Sequence, residues 1–417
     1  MAPSENDGAS GDVPSLEQIR ALPKVELHAH LSGSISQEFL LDLMQRRGID
    51  SKDSGLPFDC KQHMDGAIKK CFGYFKSVSQ VVTSLEVLRM CADHVLSSFA
   101  SDNCVYLELR TTLKEYERQG TPQDAQQTAT KAKTTKEEYL RTVIAAIRDF
   151  QLEQDRCKSQ HRMEVKLLLS VDRGTIRSLG DARRQVRDVA DLCTLYPEDC
   201  VGVDISGNPD NLSMEPFIIP ALLELNGERP DFFTQFPITC HVAETPHQES
   251  ENDLILENLE RLNIRRLGHV MFLTEKQRQV VLNHWRRDSG RRIGVELCPT
   301  SNLVCRQEAD RRKHHFPLWY KQFAADGHTD VEPSPKRARS EDDRAPSGAA
   351  LVSINTDDVG LFSTSLSEEL RLVAEVFDLT LDDIRELQRQ ALESSFFRDK
   401  SALTIALGTP AMAKAAA

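Results

Sequence analysis

Apolar and polar positions along the chain fall into two periods. Short runs rich in β-branched residues and leucine recur between longer amphipathic segments, the pattern of strands alternating with helices in a parallel sheet. Eight runs stand out: 25–30 (VELHAH), 105–110 (VYLELR), 165–171 (VKLLLSV), 201–205 (VGVDI), 238–242 (ITCHV), 266–270 (RLGHV), 293–297 (IGVEL) and 351–355 (LVSIN). Eight parallel strands predict an α/β fold closed into a (β/α)8 TIM barrel. Between them, apolar residues three and four positions apart over 86–99 and 139–150 predict helices packed on the outside of that barrel.

The first connection, 31–103, is longer than one strand–helix–strand unit needs and predicts extra helices over the barrel mouth. Phe72 and Phe75 would line such a lid, or belong to an apolar stripe packed into the core, a reading at least as strong. Residues 328–349 are rich in Pro, Ser and charge and poor in apolar residues, which predicts a disordered insertion before the eighth strand, on the face opposite catalysis. Its deletion should leave activity intact. The domain reading is a tail over 1–14, one barrel over 15–405 interrupted by that insertion, and a flexible tail over 406–417. The basic cluster at 335–339 resembles a nuclear-import signal, but such clusters are common in solvated loops, and the solvated loop is favoured.

Composition narrows the partners. The 417 residues carry 52 Lys+Arg against 64 Asp+Glu, a formal charge of −12, which argues against a general nucleic-acid binder and for a small ligand. No run approaches the roughly 18 apolar residues of a membrane-spanning helix, and the N-terminus lacks an apolar secretory core. A cytoplasmic protein, or a nuclear one through the basic cluster, is expected, with no membrane partner. Ten scattered cysteines without a C-x-x-C pair read as reduced, mostly buried thiols.

The strand ends carry the chemistry. His28 and His30 lie on one face of the first strand, where a two-residue period lets both approach one metal ion. His241 and Glu244 end the fifth strand, His269 ends the sixth, and Asp357 and Asp358 follow the eighth. Singly, each has a plain alternative: His269 as a hydrogen-bonded core histidine, the aspartates as caps of the following helix. Together they suit a zinc ion held by His28, His30, His241 and a carboxylate, assigned to Asp357, with one position left for a water whose pKa would fall from 15.7 to about 7. Glu244, not needed for coordination, is free to carry a proton, which an apolar pocket would favour by keeping it neutral. His269 would stand beside the water or serve as a further ligand. If strand geometry persists, Asp357 and Asp358 point to opposite sides. The fourth strand offers no Lys for a carbamylated bridge, so one metal is expected. The H-x-E…P-C-x-x-C, G-x-S-x-G and Walker A patterns are missing.

The ordered motifs ELHAHLSGSIS, VDISGNP, CHVAET, RLGHV, CPTSN and SINTDD resemble the adenosine deaminase family from about Pro23 to beyond Leu370. That resemblance implies a one-zinc barrel with His28, His30, His241 and Asp357 as ligands and Glu244 as proton donor to purine N1. His269 and Asp358 would orient the hydroxide, Asp358 would also meet N7, and the Gly207 backbone would meet N3. Authentic adenosine deaminases carry H-x-H-L-D-G where this chain has His30-Leu31-Ser32-Gly33. Their Asp is placed to repel a 5′-phosphate, and neutral Ser32 removes the repulsion. With YLELRTT and SVDRG, the pattern is closer to the adenosine deaminase-like branch of N6-methyl-AMP deaminases. This implies a purine nucleotide as sole partner, with Thr111, Thr112 and Lys114 as phosphate contacts and Asp172 as a sugar or base contact. The expected reaction converts N6-methyl-AMP and water to IMP and methylamine, catalysed by a monomer. Ordinary adenosine deamination and a catalytically idle purine-binding barrel are the alternatives.

Overall fold

The computed structural model describes residues 13–52, 54, 56–57, 67–118, 132–157, 162–209, 213–284, 292–320 and 350–408. Eight strands pair in chain order, every neighbour parallel: β1 (Lys24–His30), β2 (Cys104–Thr112), β3 (Glu164–Asp172), β4 (Cys200–Ser206), β5 (Ile238–Val242), β6 (Ile264–His269), β7 (Gly294–Leu297) and β8 (Leu351–Ile354). All eight predicted runs are strands of this (β/α)8 barrel.

The seam between β8 and β1 is closed mainly beyond the end of β8. The Asp357 N–H donates to the His28 carbonyl (2.8 Å), and the His30 N–H donates to the Asp357 carbonyl (3.0 Å). Lower down, side chains replace backbone partners. The Leu27 N–H donates to Asn355 Oδ1 (3.1 Å) and the Thr356 N–H to Glu26 Oε2 (3.0 Å). Each otherwise orphaned amide is satisfied, as burial demands.

Strand alternation puts Val25, Leu27 and Ala29 on one side of β1 and Lys24, Glu26 and His28 on the other, all buried. The apolar side packs under the helices. The polar side meets an interior built from charge rather than from layers of branched apolar residues. Arg110 donates to Asp204 Oδ1 (2.9 Å) and Glu296 Oε2 (3.0 Å), while Arg266 joins Glu296 to Glu108. At the N-terminal end of the strands, Arg266 lies over the Phe396 ring (3.8 Å), and the Phe396 N–H donates to Glu108 Oε1 (2.6 Å).

The outer helices begin where a hydroxyl satisfies a free N–H. Ser84 caps Leu85–Ser101 and Thr135 caps Lys136–Arg156, the two helices expected from periodicity. Two further helices, Gln37–Arg46 and Ala67–Val81, occupy the long first connection as predicted. Tyr74 on the second is buried and donates to the Ile35 carbonyl (2.6 Å), tying this helix to the turn after β1. Phe75 beside it is 37% exposed, so it joins no core stripe; the side chain of Phe72 lies outside the described residues. The predicted insertion 328–349 and most of both predicted tails also lie outside them. Among the described residues nine cysteines carry free thiols, most of them buried, and no helix is long and apolar enough to cross a membrane.

Candidate active site

The C-terminal ends of β1, β5, β6 and β8 bring the predicted cluster together. One ligand atom from each of His28, His30, His241 and Asp357 lies within 4.8 Å of all the others. His28 Nε2 and His30 Nε2 are each 3.1 Å from His241 Nε2, and 3.6 and 3.5 Å from Asp357 Oδ1.

The donor set fits a cation. His28 Nδ1 donates to the Glu296 carboxylate (2.6 Å) and His241 Nδ1 to the Ile205 carbonyl (3.0 Å), so the Nε2 atom of each carries its lone pair. Two lone pairs face each other at 3.1 Å, an arrangement that repels unless a positive charge lies between them. Separations of 3.1–3.6 Å match ligands about 2.0–2.1 Å from one ion. Both histidines also have carboxylates behind them: Glu296 for His28, and Asp204 for His241 at 3.3 Å. Arg110 bridges those two carboxylates. Burial pushes the Glu296 carboxyl up, but Arg110 and Arg266 override it and bring it down to about 2.

The backbone is strained at this rim. Ala243 (φ 54°), His269 (φ 66°), Val270 (φ 50°) and Asp357 (φ 61°) are left-handed non-glycine residues, each costing of order 1–3 kcal/mol. The expected strand alternation at Asp357 and Asp358 therefore does not hold: β8 stops at Ile354, and a left-handed turn at Asp357 directs both carboxyls.

Asp358 is buried, and its Oδ1 has no hydrogen-bond partner. Burial, with Asp357 next to it, pushes its carboxyl well above the usual carboxylate range. Gly33 makes room for it, because a methyl group there would collide with Asp358 Oδ1. Glu244 Oε1 is 3.6 Å from His269 Nε2, and its Oε2 is also buried without a partner. His269 falls outside the set of four ligands, with Nε2 4.0 Å from Asp357 Oδ2.

The remaining predicted residues separate. Thr112, Lys114 and Asp172 line one cavity of about 580 Å³, along with Ser79, Ser170 and Lys133. Gly207 (φ 102°) abuts Asp172 so closely that a side chain there would strike the carboxylate. Ser32 is half-buried, two residues after His30 of the cluster. The expectation for Thr111 is corrected: its hydroxyl bonds the Tyr139 hydroxyl (2.7 Å) on the outer helix layer. Arg110 points into the barrel, so its neighbour points out.

Glu296, Arg110, Asp204, Asn302 and His314 were not picked out from sequence. The signal for Glu296 and Asp204 was a charged residue at an inward position of an otherwise apolar strand, in VEL and VDI.

Residues 23–326 match the family model described as adenosine deaminase. A Xenopus laevis protein named N6-Methyl-AMP deaminase-L is 30% identical over 92% of this chain and 91% of its own length. Among solved structures, the Arabidopsis N6-mAMP deaminase superposes with a TM-score of 0.69 at 27% identity, covering 94% of this chain and 99% of that one. Arabidopsis ADAL complexed with IMP gives 0.67 at 26%, covering 94% and 98%. With the match to the family model spanning most of the barrel and these deaminases aligned over nearly the whole length of both chains, this chain belongs to the adenosine deaminase family and is a hydrolytic deaminase.

Proposed function

We propose that the protein is a zinc-dependent deaminase that converts N6-methyl-AMP and water to IMP and methylamine. One observation carries the chemistry: two buried carboxyl oxygens, Glu244 Oε2 and Asp358 Oδ1, stand without partners beside the cluster of three imidazoles and Asp357. An unpaired buried carboxyl oxygen is costly, and a ligand presenting complementary nitrogens removes that cost.

Zinc bound by His28, His30, His241 and Asp357 would supply a Lewis acid that ionises water near neutral pH. The side chains divide the remaining work. Glu244 protonates purine N1 as water adds at C6, relieving the charge that develops on the ring. Burial and the neighbouring Asp357 oppose ionisation of Asp358, which favours the protonated form that can donate to N7, an acceptor. His269 lies between Glu244 and Asp357 and orients the attacking water. The Gly207 backbone faces N3.

The nucleotide reading is supported by the cavity containing Thr112 and Lys114, by the neutral Ser32, and by the relative crystallised with IMP. The Thr112 hydroxyl, the Lys114 cation and a neutral Ser32 suit a 5′-phosphate. Initial rates for N6-methyl-AMP, AMP and adenosine on purified protein test the assignment. Preference for the methylated monophosphate is expected, and preference for unphosphorylated adenosine would overturn it.

A further inference from the structure

We propose that Asn302 and His314 are positioning residues that hold His269 in the tautomer with its proton on Nε2, so that His269 faces the attacking water only as a hydrogen-bond donor. The direction of every bond in this relay follows from two backbone amides, whose protons are fixed by covalent structure. The Phe316 N–H donates to His314 Nδ1 (3.0 Å), which makes Nδ1 the acceptor of that ring and leaves its proton on Nε2. His314 Nε2 then donates to Asn302 Oδ1 (3.2 Å).

The second amide identifies the same oxygen independently. The Cys298 N–H also donates to Asn302 Oδ1 (3.2 Å), so the other amide atom of Asn302 is the NH2 group. That group lies 3.0 Å from His269 Nδ1 and donates to it. A proton on His269 Nδ1 would set two N–H groups head to head. The Nε2 atom therefore carries the proton, on the side where Glu244 and Asp357 lie.

The ring is also held from behind. His315 Nε2 donates to the His269 carbonyl (2.7 Å), anchoring a residue whose backbone is left-handed. His269, Asn302, His314 and His315 are all buried, so solvent cannot supply competing partners. With Nε2 restricted to donation, His269 cannot take a proton from water at that atom. Proton removal must fall to another group, and His269 contributes orientation and charge stabilisation alone.

The inference rests on the assignment of His269 to the attacking water, but its central claim can be read without substrate. Selective 15N-histidine labelling of metal-free and zinc-loaded protein, with the His269 signals assigned by their loss in His269→Gln, should show a protonated Nε2 and an unprotonated Nδ1. Asn302→Asp offers acceptors only, and should move the proton to Nδ1. It should also lower kcat about 10²–10³-fold, the usual loss for one donor at a developing charge, with little change in KM and zinc content retained. His314→Gln can donate in the original direction and should keep the Nε2–H form, whereas His314→Leu should give a mixture. A protonated Nδ1 in the parent protein would overturn the proposal, as would an Asn302→Asp variant with unchanged kcat or one whose loss of rate merely follows loss of zinc. If Asn302→Asp does not fold, the parent tautomer and the His314 pair decide. A failed N6-methyl-AMP assignment would leave these spectra unchanged.

Discussion

Asp357 meets His28 twice: its N–H donates to the His28 carbonyl at 2.8 Å, while its carboxylate Oδ1 lies 3.6 Å from His28 Nε2. The backbone contact closes the barrel and the side-chain contact builds the ligand cluster. The two contacts are separable, because only the second depends on the carboxylate. Asp357→Asn should keep the seam and the fold of the metal-free protein but lose tight metal binding and activity. Chelation should lower the Tm of the parent protein, since a ligand at 100 times its Kd adds about 2.7 kcal/mol, and should leave the variant unmoved. A variant whose Tm still responds to chelator would show that Asp357 is not a ligand.

Gly33→Ala places a methyl group where Asp358 Oδ1 now sits. The carboxyl must rotate away from its site, so kcat/KM should fall about 10²-fold or more. Zinc content should stay near the parent level, because the four residues proposed to hold the ion do not include Asp358. Steady-state kinetics with metal analysis tests both parts.

Glu296 makes stability sensitive to acid. Its folded-state pKa, about 2 against an ordinary 4.5, lies below the unfolded value. Its contribution, of order 3 kcal/mol, is therefore fully present above about pH 4.5 and lost as pH falls towards 2. Denaturant midpoints of the metal-free parent and of Glu296→Gln should differ most near neutrality and converge progressively as pH falls from about 4.5 towards 2. A constant difference would exclude this account.

Ser32→Asp restores a carboxylate beside the sugar end of the site. KM for a 5′-monophosphate should rise at least about tenfold, with a much smaller change for the nucleoside, because repulsion acts only on the phosphate. Lys114→Ala should show the same selectivity more weakly, as expected for an exposed cation. Equal effects on both substrates would remove these residues from phosphate recognition.

The strands were legible because each is short and bounded, yet the alternation in VELHAH is of the kind that marks a half-exposed strand. Here both faces are buried, and Glu26 and His28 face an ionic interior instead of solvent. The cluster of His28, His30, His241 and Asp357 could be read because these residues end strands, where a barrel gathers its chemistry. Asn302 and His314 could not, since their role depends on the helix Pro299–Cys305 and the segment after it meeting at His269, and no period or spacing encodes that. Thr111 was misplaced for the opposite reason: a local rule sufficed, and the inward Arg110 before it had already fixed its direction.

Phe396 caps the column of charges in the barrel, and that column ends at His28 by way of Glu108, Arg266 and Glu296. Synthesis proceeds from the N-terminus, so all eight strands leave the ribosome before this aromatic plug does. A nascent barrel that closed early would leave Glu108 and Arg266 open to water. Final setting of the catalytic rim therefore waits on a residue that follows the last strand, and truncations between β8 and Phe396 should compromise metal capture from the opposite pole of the barrel.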